Sequence, residues 1–130
     1  MSESTQRPQI IDADTVEMET VDAGEGMSKS VLIGPDVGPN FAMRRFELSP
    51  GAMVPKHTNE VEHEQYVLQG EYTVGLVEDG EATEYTVSEG DALLIPAGVV
   101  HWYRNESDTP GAFICVVPNG DDTIQVLDDE

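Results

Sequence analysis

"EYTVGLVEDGEATEYTVS", residues 71–88, holds two β-type runs on either side of a single Asp79-Gly80 pair. Asp-Gly between two such runs is a strong sign of a two-residue hairpin, because both turn positions need a positive φ. The same pattern extends in both directions. "AMVPKHTN" (52–59), "HEQYVLQ" (63–69), "DALLIP" (91–96), "VVHWYRN" (99–105) and "AFICVVP" (112–118) are short β-type runs. "SPG", "QGE", "SEGD", "PAG" and "DTPG" punctuate them. No helical periodicity lasts longer than a turn. Many short strands at 8–12-residue spacing predict an all-β sandwich or barrel.

Upstream, "TVEMETV" (15–21) alternates like a strand but has nothing local to pair with. "AGEGMSK" (23–29) reads as a flexible turn. "SVLIG" (30–34) and "FAMRRFEL" (41–48) read as strands separated by the loop "GPDVGPN". The first dozen residues and the last three read as frayed, and "TIQVL" (123–127) as a final edge strand.

Acid is spread along the whole chain. There are 26 Asp and Glu against 6 Lys and Arg, a formal net charge of −20. This argues against a nucleic-acid or anionic-membrane surface, which needs clustered positive charge. With 38% apolar residues and regular turn signals, the chain reads as a packed domain inside a solvated acidic shell rather than a disordered acidic chain. Abundant acid with only two lysines, Lys29 and Lys56, resembles cytosolic proteins of salt-accumulating archaea. In molar salt the Debye length falls to about 3 Å, which screens self-repulsion. The length of 130 residues suits one domain. The single cysteine, Cys115, excludes an intramolecular disulfide and fits a reducing cytoplasm. "MSESTQRPQI" lacks the basic start and apolar stretch of a signal peptide, and no apolar run approaches the roughly 20 residues of a membrane span.

Strand parity decides which side chains converge. His57 and Asn59 share one face; His63, Gln65 and Val67 share another; His101 lies with Val99 and Tyr103. If all three faces point into a barrel, the chain's only three histidines meet in one cavity. Three imidazoles with an open coordination position suit a reactive divalent metal. Glu62 and Glu64 have the parity opposite to His63, so they and Glu60 read as a solvated face. Phe46, Val67, Val99, Phe113 and Cys115 are expected to line the cavity. Tyr103 and Gln65 are the candidates for polar contact with a ligand or for catalysis.

"GDALLIPAGVVHWYRN" (Gly90 to Asn105) matches the second motif of the cupin superfamily at every defined position: Gly, five residues, Pro-x-Gly, two residues, His, three residues, Asn. "GAMVPKH" opens like the first motif, and Gly70 closes it seven steps after position 63. The usual second histidine is Asn59 here, and the usual glutamate is His63. "EHEQYVLQGE", with Phe113 and Cys115 two strands further on, is similar to a subset of small single-domain cupins that hold a metal with four histidines. The resemblance covers roughly residues 41–118. It implies a double-stranded β-helix, or jelly-roll, barrel at 41–118, preceded by an extension with edge strands (1–40) and followed by an edge strand and acidic tail (119–130).

The resemblance also implies metal ligands at His57, His63 and His101. The fourth ligand position falls on Asn59, whose amide oxygen either ligates Mn or Fe or gives way to a water. The expected cofactor is one divalent transition metal, Mn or Fe before Zn, Ni or Cu. The expected function is a metal-dependent oxygenase or lyase acting on a small organic molecule; the alternatives are a non-catalytic metal-containing binder or sensor and, less favoured by three inward histidines, a metal-free sugar isomerase. A homodimer is expected, with 15–21 crossing to a partner barrel.

Overall fold

The computed structural model describes residues 7–120 and 124–127. Ten strands follow one another: β1 (Glu19–Thr20), β2 (Glu25–Ile33), β3 (Phe41–Thr58), β4 (His63–Gln69), β5 (Glu71–Glu78), β6 (Glu81–Ser88), β7 (Ala92–Ile95), β8 (His101–Arg104), β9 (Gly111–Pro118) and β10 (Gln125–Val126). A short 3₁₀ turn, Ala13–Thr15, is the one helical element described; it is capped by Asp12, whose carboxylate accepts from the Asp14 N–H at 3.0 Å. All described pairings are antiparallel, in the order β6-β5-β8-β3-β9-β4-β7, with β2 and β10 also on β3 and β1 on β2. This is the expected jelly-roll arrangement.

The 71–88 hairpin forms as its sequence dictates. Asp79 and Gly80 both have positive φ, 51° and 81°, and Glu78 faces Glu81 across the two-residue turn. A turn of this hand follows the right-handed twist of the strands it joins.

The curl of the sheet comes from β3, an 18-residue strand shared by both halves of the barrel. Its first half, Phe41–Leu48, pairs with β2 and β9, and its second half pairs mainly with β8 and β10. "FAMRRFEL" and "AMVPKHTN" are therefore one bent strand rather than two. Between the walls lies a core that includes Leu48, Val54, Val67, Val74, Tyr72 and Phe113.

Three expectations change. The flexible turn at 23–29 is in fact mostly strand, since β2 starts at Glu25 and buries Met27 and Ser30. The strand at 15–21 shrinks to Glu19–Thr20. Those residues pair with Lys29 and Ser28 of the same chain, so the ground for a strand crossing to a partner is withdrawn. The closing strand at 123–127 shrinks to Gln125–Val126; Thr123 lies outside the described residues, as do residues 1–6 and 128–130 of the ends read as frayed.

Every described Asp and Glu is exposed or half-buried, so the acid forms a solvated shell. No helix among the described residues is long and apolar enough to cross a membrane.

Candidate metal centre

His57 reaches the interior through an irregularity. Along β3, Ala42, Phe46, Leu48, Ala52 and Val54 bury even-numbered positions, yet odd-numbered His57 is buried too. The β3–β8 register shifts between Val54 and His57, which re-phases the strand at Pro55 and Lys56. Beyond the shift, His57 stands opposite His101 of β8. His63 opens β4, whose burial alternates cleanly: His63, Gln65 and Val67 inside, Glu64 and Tyr66 outside. Glu60 and Glu62 are also exposed, so all three glutamates are solvated.

The three imidazoles are buried, at 4%, 7% and 1% exposure for His57, His63 and His101, and they share one cavity. Ring centroids lie 4.1 Å apart for His57–His101 and 6.2 Å for His63–His101. His57 Nδ1 lies 2.8 Å from the Pro55 carbonyl, and His101 Nδ1 lies 2.9 Å from the Val99 carbonyl. A carbonyl only accepts, so both Nδ1 atoms carry the proton and both Nε2 atoms keep a lone pair. His63 Nδ1 lies 3.3 Å from Cys115 Sγ. Burial pushes the His101 pKa down to about 3, with His57 adding repulsion, and burial also lowers His57 against the pull of the Pro55 carbonyl. Both rings are therefore neutral, the state that ligates metal.

These residues fit a metal by their chemistry. His101 Nε2 is buried with no hydrogen-bond partner among the described residues, a costly arrangement unless something binds it. Anchoring of Nδ1 by a carbonyl is the usual support of a ligating histidine. The spacing is close to the need. Metal–nitrogen bonds of about 2 Å place two bound rings roughly 5 Å apart, between the two separations observed. Among the described residues, no group of three His, Cys, Asp or Glu side chains is placed to hold a metal ion as it stands.

The cavity has a volume of about 450 Å³, within the range of small-molecule sites. Of the expected lining residues, Phe46, Phe113 and Cys115 are present. Val67 and Val99 are not. Val67 is fully buried in the core, and Val99 precedes β8, where its carbonyl rather than its side chain serves the site. Asn59 lies just past the end of β3, half-buried on the cavity wall, with its carbonyl held by the Gly98 N–H at 2.8 Å. Gln65 and Tyr103 form a pair: Gln65 Nε2 donates to the Tyr103 hydroxyl at 2.7 Å, while Gln65 Oε1 is buried with no partner. Burial raises the Tyr103 pKa, opposed by the Gln65 amide, so the phenol keeps its proton and serves as a donor.

Among the lining residues that escaped the sequence reading are two cationic ones, Arg44 and Lys29, besides the apolar Met27 and Val54. Arg44 has the same parity as Phe46, which would have placed it inside. The mouth is formed by Glu19–Ala23, around β1, and by Ile124.

A jelly-roll barrel with inward imidazoles over a pocket of this size defines a β-barrel of the cupin type. The cupin domain matches residues 44–117, and the chain belongs to that family. It is 36% identical over 75 residues to germin-like protein 5-1 of Oryza sativa subsp. japonica, covering 56% of this chain and 34% of that one. It is 34% identical over 89 residues to 3-hydroxyanthranilate 3,4-dioxygenase of Yarrowia lipolytica, covering 64% and 52%. The polyketide cyclase RemF of Streptomyces resistomycificus superposes with a TM-score of 0.83 at 28% identity, covering 95% of this chain and 88% of that one. The chain spans about a third to a half of the length of the first curated relatives it matches, at 34%, 45% and 44%.

Proposed function

We propose that His57, His63 and His101 hold one divalent transition metal through Nε2, and that the protein is a metal-dependent enzyme acting on a small organic molecule. The observation that carries this reading is the convergence of three buried imidazoles, two with Nδ1 donated to backbone carbonyls, on a cavity of about 450 Å³. Mn or Fe suits the site best, with Zn, Ni or Cu as alternatives. Bound there, the metal would supply Lewis acidity and, for Mn or Fe, a position for O₂ beside the substrate. Asn59 does not ligate strongly in this reading and leaves that position to water.

The chain's own groups do the rest. Tyr103, held by Gln65, donates a hydrogen bond or proton to substrate oxygen, and Gln65 Oε1 accepts from a substrate donor. Phe46 and Phe113, stacked with ring centroids 5.1 Å apart, form the apolar part of the lining. Among the two chemistries, the non-oxidative one has the broader support, because the likeness to a polyketide cyclase spans nearly the whole of both chains. The likeness to a dioxygenase, over about half of that enzyme, supports the oxidative one. A non-catalytic binder is the second reading, supported by the lack of any buried carboxylate in the cavity lining among the described residues; Glu19 and Asp22, the acids that line it, are exposed.

The test is elemental analysis of untagged protein, followed by oxygen uptake with Fe or Mn loaded and turnover of poly-β-ketone compounds. Metal with turnover and no uptake supports lyase or cyclase chemistry. Metal with neither supports the binder. No metal under any loading overturns the reading.

A further inference from the structure

The geometry points to Arg44 as an anion anchor that makes this cavity selective for ligands carrying a carboxylate or enolate. This inference deepens the metal-centre reading and rests on it for the ligand's second point of attachment. The other two strand arginines both hold carboxylates. Arg45 reaches Glu47 at 3.3 Å, and Arg104 reaches Glu84 at 2.8 Å and Glu106 at 3.0 Å. Arg44, in a chain with 26 acids, has no carboxylate partner among the described residues. Its Nη2 donates to Cys115 Sγ at 3.4 Å, its guanidinium carbon lies 5.2 Å from the Phe46 ring centroid, and its Nε is buried with no partner.

A thiol is a weak acceptor, and a ring face satisfies no N–H in its plane. The guanidinium is therefore held in place from two sides while its buried Nε stays unsatisfied, a costly state that an anion would relieve. Position supports the same conclusion. The sulfur that accepts from Arg44 also contacts His63 Nδ1 at 3.3 Å, so one side chain separates the cation from a ligating imidazole. Phe46, under the guanidinium, stacks in turn on Phe113, which holds the cation in a fixed place on the cavity lining. A ligand can set one oxygen near the histidines and an anionic group on Arg44. Lys29 lines the cavity too, but its register partner across β1–β2 is Glu19, an acid at the mouth. The anchoring role falls to Arg44.

The probes are salicylate and its neutral isostere salicylamide, titrated by calorimetry at fixed ionic strength into metal-free and Mn-loaded protein. Wild type should prefer salicylate by about tenfold or more, the margin of one charge-assisted pair. Arg44→Gln should remove the preference at unchanged metal content, while Arg44→Lys, a point charge without the fork, should keep part of it. Circular dichroism on both variants checks folding, and Arg44→Lys carries the test if Arg44→Gln does not fold. Equal binding of the two probes by wild type, or a preference that survives Arg44→Gln, overturns the anchor even if metal is bound. A preference lost in Arg44→Gln in a protein that takes up no metal leaves the anchor standing and removes only the metal reading.

Discussion

Replacing Asn105 with alanine should cost roughly 2–4 kcal/mol, about a quarter of a typical domain's stability, although Asn105 touches neither cavity nor ligand. Its side chain is fully buried and ties three segments together. Nδ2 donates to the Leu48 carbonyl in β3 and to the Thr109 carbonyl, both at 3.0 Å; Oδ1 accepts from Ser107 N–H at 3.0 Å and Ser107 Oγ at 2.8 Å. Leu48 is completely buried, so no water replaces the lost donor there, at a cost of about 1–3 kcal/mol. Thr109 is exposed and Ser107 half-buried, so water recovers part of the other bonds, leaving about 1 kcal/mol. At roughly 3–5 °C per kcal/mol for a domain of this size, the melting temperature should fall by about 10 °C. Urea unfolding followed by circular dichroism at fixed salt measures it. A loss below about 0.5 kcal/mol would refute the claim that these bonds hold the turn between β8 and β9 against β3.

Other outcomes follow from the same structure. Gly75→Ala should lose about 1–3 kcal/mol and shift the emission of the only tryptophan, because the added Cβ would sit 1.8 Å from Trp102 Cε2; unchanged emission contradicts the packing. Asn59→His should tighten metal binding by about tenfold or more, about 1.4 kcal/mol, while lowering activity that needs two adjacent open positions. Unchanged affinity in a chelator competition means that residue 59 does not reach the metal, and a joint rise of affinity and activity refutes the open-position argument. With a net charge of −20 in a solvated shell, the melting temperature should climb from dilute buffer to molar salt; indifference to salt removes the halophilic reading.

What could be read from the sequence followed the regularity of the backbone. The hairpin at Asp79-Gly80 and the alternation of β4 could be read because an undisturbed strand keeps its period of two. β2 could be read only in its second half, within "SVLIG". Its register shifts between Glu25 and Met27 and again between Val31 and Ile33, so Met27 and Ser30 are buried three apart, a spacing no flat strand shows. Val99 differs for another reason: it lies before β8, which begins only at His101, so strand parity does not apply to it. His57 does face the cavity, but the shift near Pro55 that turns it inward leaves no mark in the hydrophobic pattern. Arg44 shares the parity of Phe46, a signal that points inside.

The central claim is that three histidines, in a family whose fold serves many functions, make one metal site. Metal content of untagged wild type and of His101→Ala, measured by elemental analysis after loading with Mn, Fe or Zn and desalting, tests it most directly. The account predicts one metal per chain in wild type and almost none in a folded His101→Ala. Stoichiometric metal in the variant, or none in the wild type, would contradict it.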